Sequence, residues 1–155
     1  MRVHIGSDHA GFEDKNALVA ALEQRGHHVV DHGPHAYDAQ DDYPPFCLAT
    51  GAAVVADPGS FGIVLGGSGN GEQMAANKVD GVRAALVWSD EIARLAREHN
   101  DANVISVGAR MHEPEEVLRF VEVFLETAFS GDERHIRRIG QLTEYERSGV
   151  LPPTS

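Results

Sequence analysis

Residues 61–78, FGIVLGGSGNGEQMAANK, run from an apolar stretch through a glycine-rich loop into a segment with helical character. This order is typical of a buried strand followed directly by a helix. Glycines at 67, 69 and 71 would let backbone amides approach an anion, and the helix N-terminus would favour negative charge there. A loop that only holds phosphate gains nothing from the carboxylate of Glu72. On these residues alone Glu72 is either a first-turn carboxylate favoured by the helix dipole or a proton-transfer group.

Four more apolar segments surround this one and alternate with helical stretches: VHIGS, HHVVDHG, VRAALVW and NVISVGA. Short apolar strands that alternate with helices predict a parallel sheet covered on both faces, because each crossover helix packs back on the sheet with the same hand. The predicted helices cover residues 11–25, 44–56, 70–78, 89–99, 113–128 and 131–147. We therefore predict an α/β fold, a three-layer sandwich with a five-stranded parallel sheet plus C-terminal helices.

The composition limits the classes of protein to which the chain can belong. Its length of 155 residues predicts one domain, at 1–148, and the end with LPPTS predicts a flexible tail at 149–155. A formal net charge of −11 argues against a nucleic-acid partner. No apolar run approaches the roughly 20 residues of a membrane span, and the N-terminus does not resemble a secretory signal. We expect a cytoplasmic protein.

The loops after the first, third and fifth predicted strands carry the polar segments SDHAGFE, GGSGNGE and GARMHE. Ligands of open parallel sheets bind beyond the carboxyl ends of the strands, so these loops are candidate site segments. Asp8 and His9 follow the first strand directly, where both could project over this edge. His99 and Asn100 stand at the end of the fourth helix, and we expect them to lie beside the same edge. A histidine at this position could equally cap the helix.

Positive charge is concentrated near the end of the chain, in ERHIRRIG. Arg134 and Arg138 are four residues apart and share a helix face, beside His135. They could form a solvated basic face paired with Glu133 or Glu144. A like-charged pair on an acidic chain nevertheless favours a phosphorylated ligand, since forked guanidinium donors match phosphate geometry.

Several other sites are disfavoured. A dinucleotide-binding fingerprint would follow the first strand, and its last glycine would stand where this chain has Glu72. Asp90 nevertheless lies near the sequence spacing expected for the acid that binds the ribose, which keeps this alternative open. A Walker phosphate-binding loop is excluded, because no Gly-Lys-Ser/Thr follows the glycines. We predict no metal, because the histidines at 27, 28, 32 and 35 lie in and around an extended segment and no HExxH occurs. Cys47, the single cysteine, is predicted to be buried, and the acids at 38, 41 and 42 to be a solvated loop.

Five segments taken together resemble the type B ribose-5-phosphate isomerases, which are related to the galactose and allose phosphate isomerases. They are GSDHAGFE, DYPPF, GIVLGGSGNGEQMAANKVDGVRAAL, REHNDANVISVGAR and RHIRRIG, and the resemblance covers about residues 2–147. It implies a Rossmann-like sheet and a homodimer or dimer of dimers with its pocket at the subunit interface. It also implies interconversion of ribose 5-phosphate and ribulose 5-phosphate in the pentose phosphate pathway, without a metal or other cofactor.

The resemblance also assigns roles to residues. Many members use a cysteine base just ahead of the glycine pair, where this chain has Gly66, whereas the branch with GSGNGE uses the glutamate, here Glu72. Glu72 would move a proton between C2 and C1 through an enediolate held by Ser68 and loop amides. Ring opening is assigned to His99 with Asp8. Substrate binding is assigned to His9, Gly67, Gly69, Asn70, Gly71, Asn100, Arg110, Arg134 and Arg138.

Three alternatives stay open. A sugar-phosphate-sensing module would keep the arginines and the glycine loop but would not need Glu72 as a base. An isomerase of a tetrose, allose or galactose phosphate would differ in what the HGPHAYDAQDD loop leaves room for. A nucleotide-dependent oxidoreductase would need a substrate domain, for which this chain is too short.

Overall fold

The computed structural model describes residues 1–154. One five-stranded sheet has the order β2-β1-β3-β5-β4, with every neighbouring pair parallel. The strands are β1 (Arg2–Ser7), β2 (His28–Asp31), β3 (Phe61–Gly66), β4 (Ala84–Leu86) and β5 (Val104–Gly108). In the register, Ile63 on the central strand pairs with Ile5 and Ile105. The predicted parallel sheet is confirmed.

Six α-helices follow the predicted order and differ from the predicted bounds only at their ends. They are α1 (Phe12–Gln24), α2 (Tyr43–Ala56), α3 (Asn70–Ala76), α4 (Asp90–Asn100), α5 (Pro114–Glu126) and α6 (Glu133–Ser148). A short 3₁₀ turn, His9–Gly11, precedes α1. Gly149 ends α6 in the left-handed conformation, and the flexibility of the tail stays a prediction. None of the helices in residues 1–154 is long and apolar enough to cross a membrane.

Helices cover both faces of the sheet. On one face, Leu22 of α1, Ala93 of α4 and Phe124 of α5 pack in a cluster with Ile63 and Ile105. On the other, side chains of α2 and α3 pack against the remaining strand residues: Cys47, Val54, Ala75 and Ala76 with Val64 and Val104. The three-layer sandwich and the burial of Cys47 are therefore confirmed.

The direction of α4 decides where its last residues lie. The helix follows β4 from the carboxyl edge of the sheet and runs back to the amino edge, where β5 must begin. The guanidinium of Arg83, just ahead of β4, donates to the carbonyl oxygens of Asn100 at 3.0 Å and Asp101 at 2.9 Å. The expectation that His99 and Asn100 lie beside the carboxyl edge of their own chain is therefore wrong, because one helix length carries them to the opposite edge.

Helix α6 lies at the same amino edge. The amide of Gly81, in the loop ahead of β4, donates to the Glu146 carboxylate at 3.0 Å. At the other end of the helix, the rings of His99 and His135 lie 4.4 Å apart between centroids. The sheet thus carries polar groups at both edges, and these two edges hold different parts of the predicted site.

Candidate active site

The glycine-rich loop between β3 and α3 is fixed by close packing at the carboxyl edge. Gly69 has φ 84°, and a methyl group on it would lie 2.7 Å from Leu86 Cδ1 and 3.1 Å from Gly108 N, so only glycine fits. The Ser106 hydroxyl donates to the Gly69 carbonyl at 2.8 Å. The amide of Asn70 donates to Ser68 Oγ at 3.2 Å. The loop is therefore preformed before any ligand binds.

Glu72 lies in the first turn of α3 and is only 4% exposed. Burial raises the pKa of its carboxyl, and the negative charge of Asp8 raises it further, while the backbone amides of Glu72 and Gly69 oppose the shift. A carboxylate placed only to favour a helix dipole would gain nothing from burial. A buried carboxylate with a raised pKa is a stronger base, which fits the proton-transfer interpretation.

The Glu72 carboxylate fills the space beside Gly66. A side chain at position 66 would overlap both of its oxygens. This is the position at which, by resemblance, many relatives carry a cysteine base. A residue with a side chain at 66 and the present position of the Glu72 carboxylate are therefore mutually exclusive.

Cys47 lies under the same site but has the properties of a core residue. It is fully buried, and burial raises the pKa of its thiol well above the usual range, with further contributions from the charges of Glu72 and Asp8. It therefore remains a neutral thiol, inaccessible from solvent.

Asp8 and His9 turn the chain from β1 into α1. Asp8 is buried and one oxygen accepts from the amides of Ala10 at 2.8 Å and Gly11 at 3.2 Å, which leaves its other oxygen outside this cap. His9 Nδ1 lies 2.7 Å from an oxygen of Asp41. The interpretation of Asp41 as a solvated acid is wrong, because its side chain is only 10% exposed and paired. A contact across a loop gives no periodic signal in the sequence.

Arg110, after β5, completes the group at this edge. A methyl group on Gly67 would lie 3.6 Å from an Arg110 guanidinium nitrogen. Arg110 and His9 line one cavity of about 400 Å³, together with Tyr37. We call this group of residues the carboxyl-edge cluster: Asp8, His9, the loop 66–72 and Arg110.

Tyr43 lies beside this cluster, although nothing about a tyrosine at this position predicts a place in the site. A methyl group on Gly71 would lie 2.6 Å from Tyr43 Cζ and 2.8 Å from its hydroxyl, so the tyrosine ring rests on the loop. The segment DYPPF, one of the five that carry the family resemblance, was the available signal.

The remaining predicted residues form a second group, the amino-edge cluster: His99, Asn100, Arg134 and Arg138. All four are exposed, and His135 beside them is buried with Nδ1 2.8 Å from Ser130 Oγ. Burial and the neighbouring His99 lower the pKa of His135. Within residues 1–154, Arg134 and Arg138 form no ion pair with Glu133 or Glu144; the latter pairs with Arg147. The exposed Arg134 guanidinium lies 3.9 Å from the Asp132 carboxylate, and within residues 1–154 Arg138 has no ion-pair partner.

Comparison with known proteins identifies the family of the chain. A sequence profile described as Ribose/Galactose Isomerase matches residues 3–142. Proteins named ribose-5-phosphate isomerase B from Mycolicibacterium paratuberculosis and Mycobacterium tuberculosis are 59% and 56% identical over 153 residues, which cover 99% of this chain and 96% and 94% of theirs.

Solved structures are similar over nearly the whole chain. Ribose-5-phosphate isomerase B from Mycoplasma genitalium, with bound ribulose-5-phosphate, has a TM-score of 0.91 at 40% identity over 95% of this chain and 97% of that chain. The Clostridium thermocellum enzyme has a TM-score of 0.92 at 39% identity over 97% and 100%. This chain belongs to the ribose/galactose isomerase family.

Proposed function

We propose that this protein is an aldose–ketose isomerase that interconverts ribose 5-phosphate and ribulose 5-phosphate. Relatives that share more than half of its residues over nearly the whole chain are named for this reaction, and a structural relative was solved with the ketose product bound. The observation within this chain that carries the proposal is the buried Glu72 carboxylate, which stands beside a preformed glycine loop.

In the proposed chemistry, Glu72 removes the proton from C2 of the open-chain aldose and returns it to C1. Negative charge then develops on the sugar oxygens as the enediolate forms. The Ser68 hydroxyl, whose oxygen accepts from the Asn70 amide, and the amide of Gly71 are proposed to hold that charge, and Gly67 leaves room for the substrate. The raised pKa of Glu72 serves both steps, since the group must accept the proton and then release it.

The proposed pocket combines the two clusters from different subunits. Strand β3 has six residues, so at about 3.3 Å per residue the edges of one chain lie roughly 20 Å apart. One chain alone cannot bring His99, assigned to ring opening, or its two arginines to Glu72. In a homodimer or dimer of dimers, the amino-edge cluster of one subunit would complete the carboxyl-edge cluster of the next. Exposed apolar residues of α6, among them Ile136 and Leu142, support a contact there.

The first test is the reaction itself. The protein, dialysed against a strong chelator, is mixed with ribose 5-phosphate without nucleotide or metal, and ketose formation is measured. We expect full activity, because amide donors can hold an enediolate. Possible metal-ligand atoms of Asp8, His9 and Asp41 lie within 4.8 Å of one another, but His9 and Asp41 are already hydrogen-bonded to each other. Activity that returns only with a divalent ion would contradict the metal-free mechanism.

The same assay separates the alternatives. A binding module would bind the sugar phosphate without turnover. An isomerase with another preference would convert a tetrose phosphate or a six-carbon phosphate with a higher kcat/KM than ribose 5-phosphate. The preferred sugar and the cytoplasmic location stay predictions.

The second test concerns the arginines of α6. Changing Arg134 or Arg138 to Ala should weaken binding of ribose 5-phosphate by about 10- to 100-fold, since each would lose a charge-assisted contact with phosphate. Arg147→Ala, on the last turn of the same helix and paired with Glu144, is the matched control and should bind normally. Unchanged KM in both Arg134→Ala and Arg138→Ala would place the pair outside the pocket.

A further inference from the structure

The loop 33–42 packs one side chain, which is only 10% exposed, against His9 of the carboxyl-edge cluster. We propose that this residue, Asp41, is a positioning residue that holds the His9 ring so that Nε2–H faces the substrate phosphate. The inference rests on the proposed function and extends it to a residue assigned no role by the family resemblance.

Asp41 holds His9 at two points with a single atom. Its Oδ1 accepts from the backbone amide of His9 at 2.9 Å and from ring Nδ1 at 2.7 Å. A carboxylate has no proton to give, so Nδ1 must carry one. The two contacts together fix both the position of the residue and the rotation of its ring.

This arrangement leaves the other ring nitrogen free to bind. Within residues 1–154, Nε2 of His9 has no hydrogen-bond partner, and the ring lines the same cavity as Arg110. A phosphate oxygen accepts hydrogen bonds, so Nε2 can bind it only if that nitrogen is also protonated. His9 must therefore be an imidazolium to contribute, which requires a nearby negative charge.

Asp41 supplies that charge. Among residues 1–154 its buried Oδ2 has no hydrogen-bond partner, and a carboxylate in this state is costly unless a cation lies beside it. The hydrogen bond to Asp41 raises the pKa of His9, and the charge of Asp8 acts in the same direction. Burial and the charge of Arg110 oppose this, while Glu13 and Asp14 line the rest of the cavity.

The loop is anchored so that Asp41 can act as a fixed support. At its start, Asp31 accepts from the fully buried ammonium of Lys15 at 2.6 Å and from the amide of Gly33 at 2.8 Å. At its end, the amide of Asp41 donates to the Asp38 carbonyl at 3.1 Å, two residues ahead of α2. The carboxylate is thus held before substrate arrives, which lowers the entropy cost of binding.

The test compares Asp41→Asn with Asp42→Asn, which changes the exposed neighbouring acid. The Asn oxygen can still accept from His9, but the charge is lost and the His9 pKa should fall. At about pH 8 we expect KM for ribose 5-phosphate to rise about tenfold in Asp41→Asn, with kcat changed less than about threefold. Because His9 is protonated in both proteins at low pH, this ratio should shrink below about pH 6. Asp42→Asn should match the wild-type protein throughout.

A second variant separates a positioning role from a general loss of structure. In a His9→Gln background, Asp41→Asn should add less than about a twofold change in KM, since a residue that acts only through His9 has nothing left to act on. A full tenfold effect in that background, or no effect of Asp41→Asn on KM at about pH 8, would overturn the proposal.

A spectroscopic measurement does not depend on activity. Nitrogen NMR of wild-type His9 should show both ring nitrogens protonated at a pH where a free histidine is already neutral. A His9 that is neutral at about pH 7 would overturn the proposal even if Asp41→Asn failed to fold. Absence of isomerase activity in the wild-type protein would instead contradict the proposed function. The NMR measurement would still test whether Asp41 keeps His9 protonated.

Discussion

Glu72→Gln is expected to lower kcat by about 10²- to 10⁴-fold, the usual contribution of a general base. Glutamine keeps the size of the side chain and much of its hydrogen bonding but lacks the basic oxygen that takes the C2 proton. KM should change far less, because loss of a carboxylate near an anionic substrate adds no repulsion. Steady-state kinetics with ribose 5-phosphate would separate the two parameters.

The pH dependence of the wild-type enzyme should also reflect the role of Glu72 as the base. Glu72 must be ionised to act, and burial raises its pKa above the usual glutamate range. Activity should therefore fall as the pH drops through this raised pKa, on an acid limb at a higher pH than an exposed glutamate would give. Because the pKa is higher in the folded than in the unfolded state, ionisation of Glu72 at neutral pH lowers the free energy of unfolding. Glu72→Gln should thus be at least as stable as the wild-type protein, so its inactivity would not reflect unfolding.

Thiol chemistry supplies the control. Alkylating reagents should leave the wild-type enzyme active, because Cys47 is fully buried and its thiol is held neutral. If alkylation of Cys47 abolished turnover and Glu72→Gln kept near-normal kcat, the role assigned to Glu72 would be wrong. The glycine loop would then be only an anion-binding loop.

By the family resemblance many relatives carry a cysteine base at position 66, and the structure gives a physical reason why this chain, with Glu72 as its proposed base, carries glycine there. The side chain of Glu72 begins in the first turn of α3 and reaches back to the end of β3, so its carboxylate occupies the volume a side chain at 66 would need. Gly66 is therefore required here for a steric reason, independent of its backbone conformation.

The sequence predicted the sheet and helices well because apolar strands and capped helices alternate throughout the chain. The rule that loops after parallel strands meet at one edge also predicts that Asp8, Glu72 and Arg110 lie close together. The same topology, applied to the far end of α4, would have placed His99 at the opposite edge. The loop rule does not apply to the end of a helix, because that end lies one helix length from the edge at which the helix begins.

Contacts between distant segments could not be predicted in this way. Asp41 pairs with His9 across a loop with no periodic pattern, and the ring of Tyr43 rests on Gly71 from a separate helix. Such contacts depend on where the loops settle after the core has formed. The composition of this segment indicates only a solvated acidic loop with Asp38, Asp41 and Asp42.

His99→Asn provides the partner for a complementation experiment with Glu72→Gln. His99 lies at the amino edge and Glu72 at the carboxyl edge, so the proposed dimer takes the two residues of each pocket from different subunits. In a mixed dimer, one pocket carries both substitutions and the other carries neither. Each variant alone should lose at least about 10²-fold in kcat, because a catalytic acid–base group is missing from every pocket.

The two variants are produced together with different affinity tags, and the dimer that carries both tags is isolated and assayed with ribose 5-phosphate. Since one of its two pockets is intact, the mixed dimer should have about half the wild-type kcat per dimer. Wild-type protein with the same two tags is the control. A mixed dimer no more active than the two parent variants would contradict a pocket that joins Glu72 of one subunit to His99 of the other.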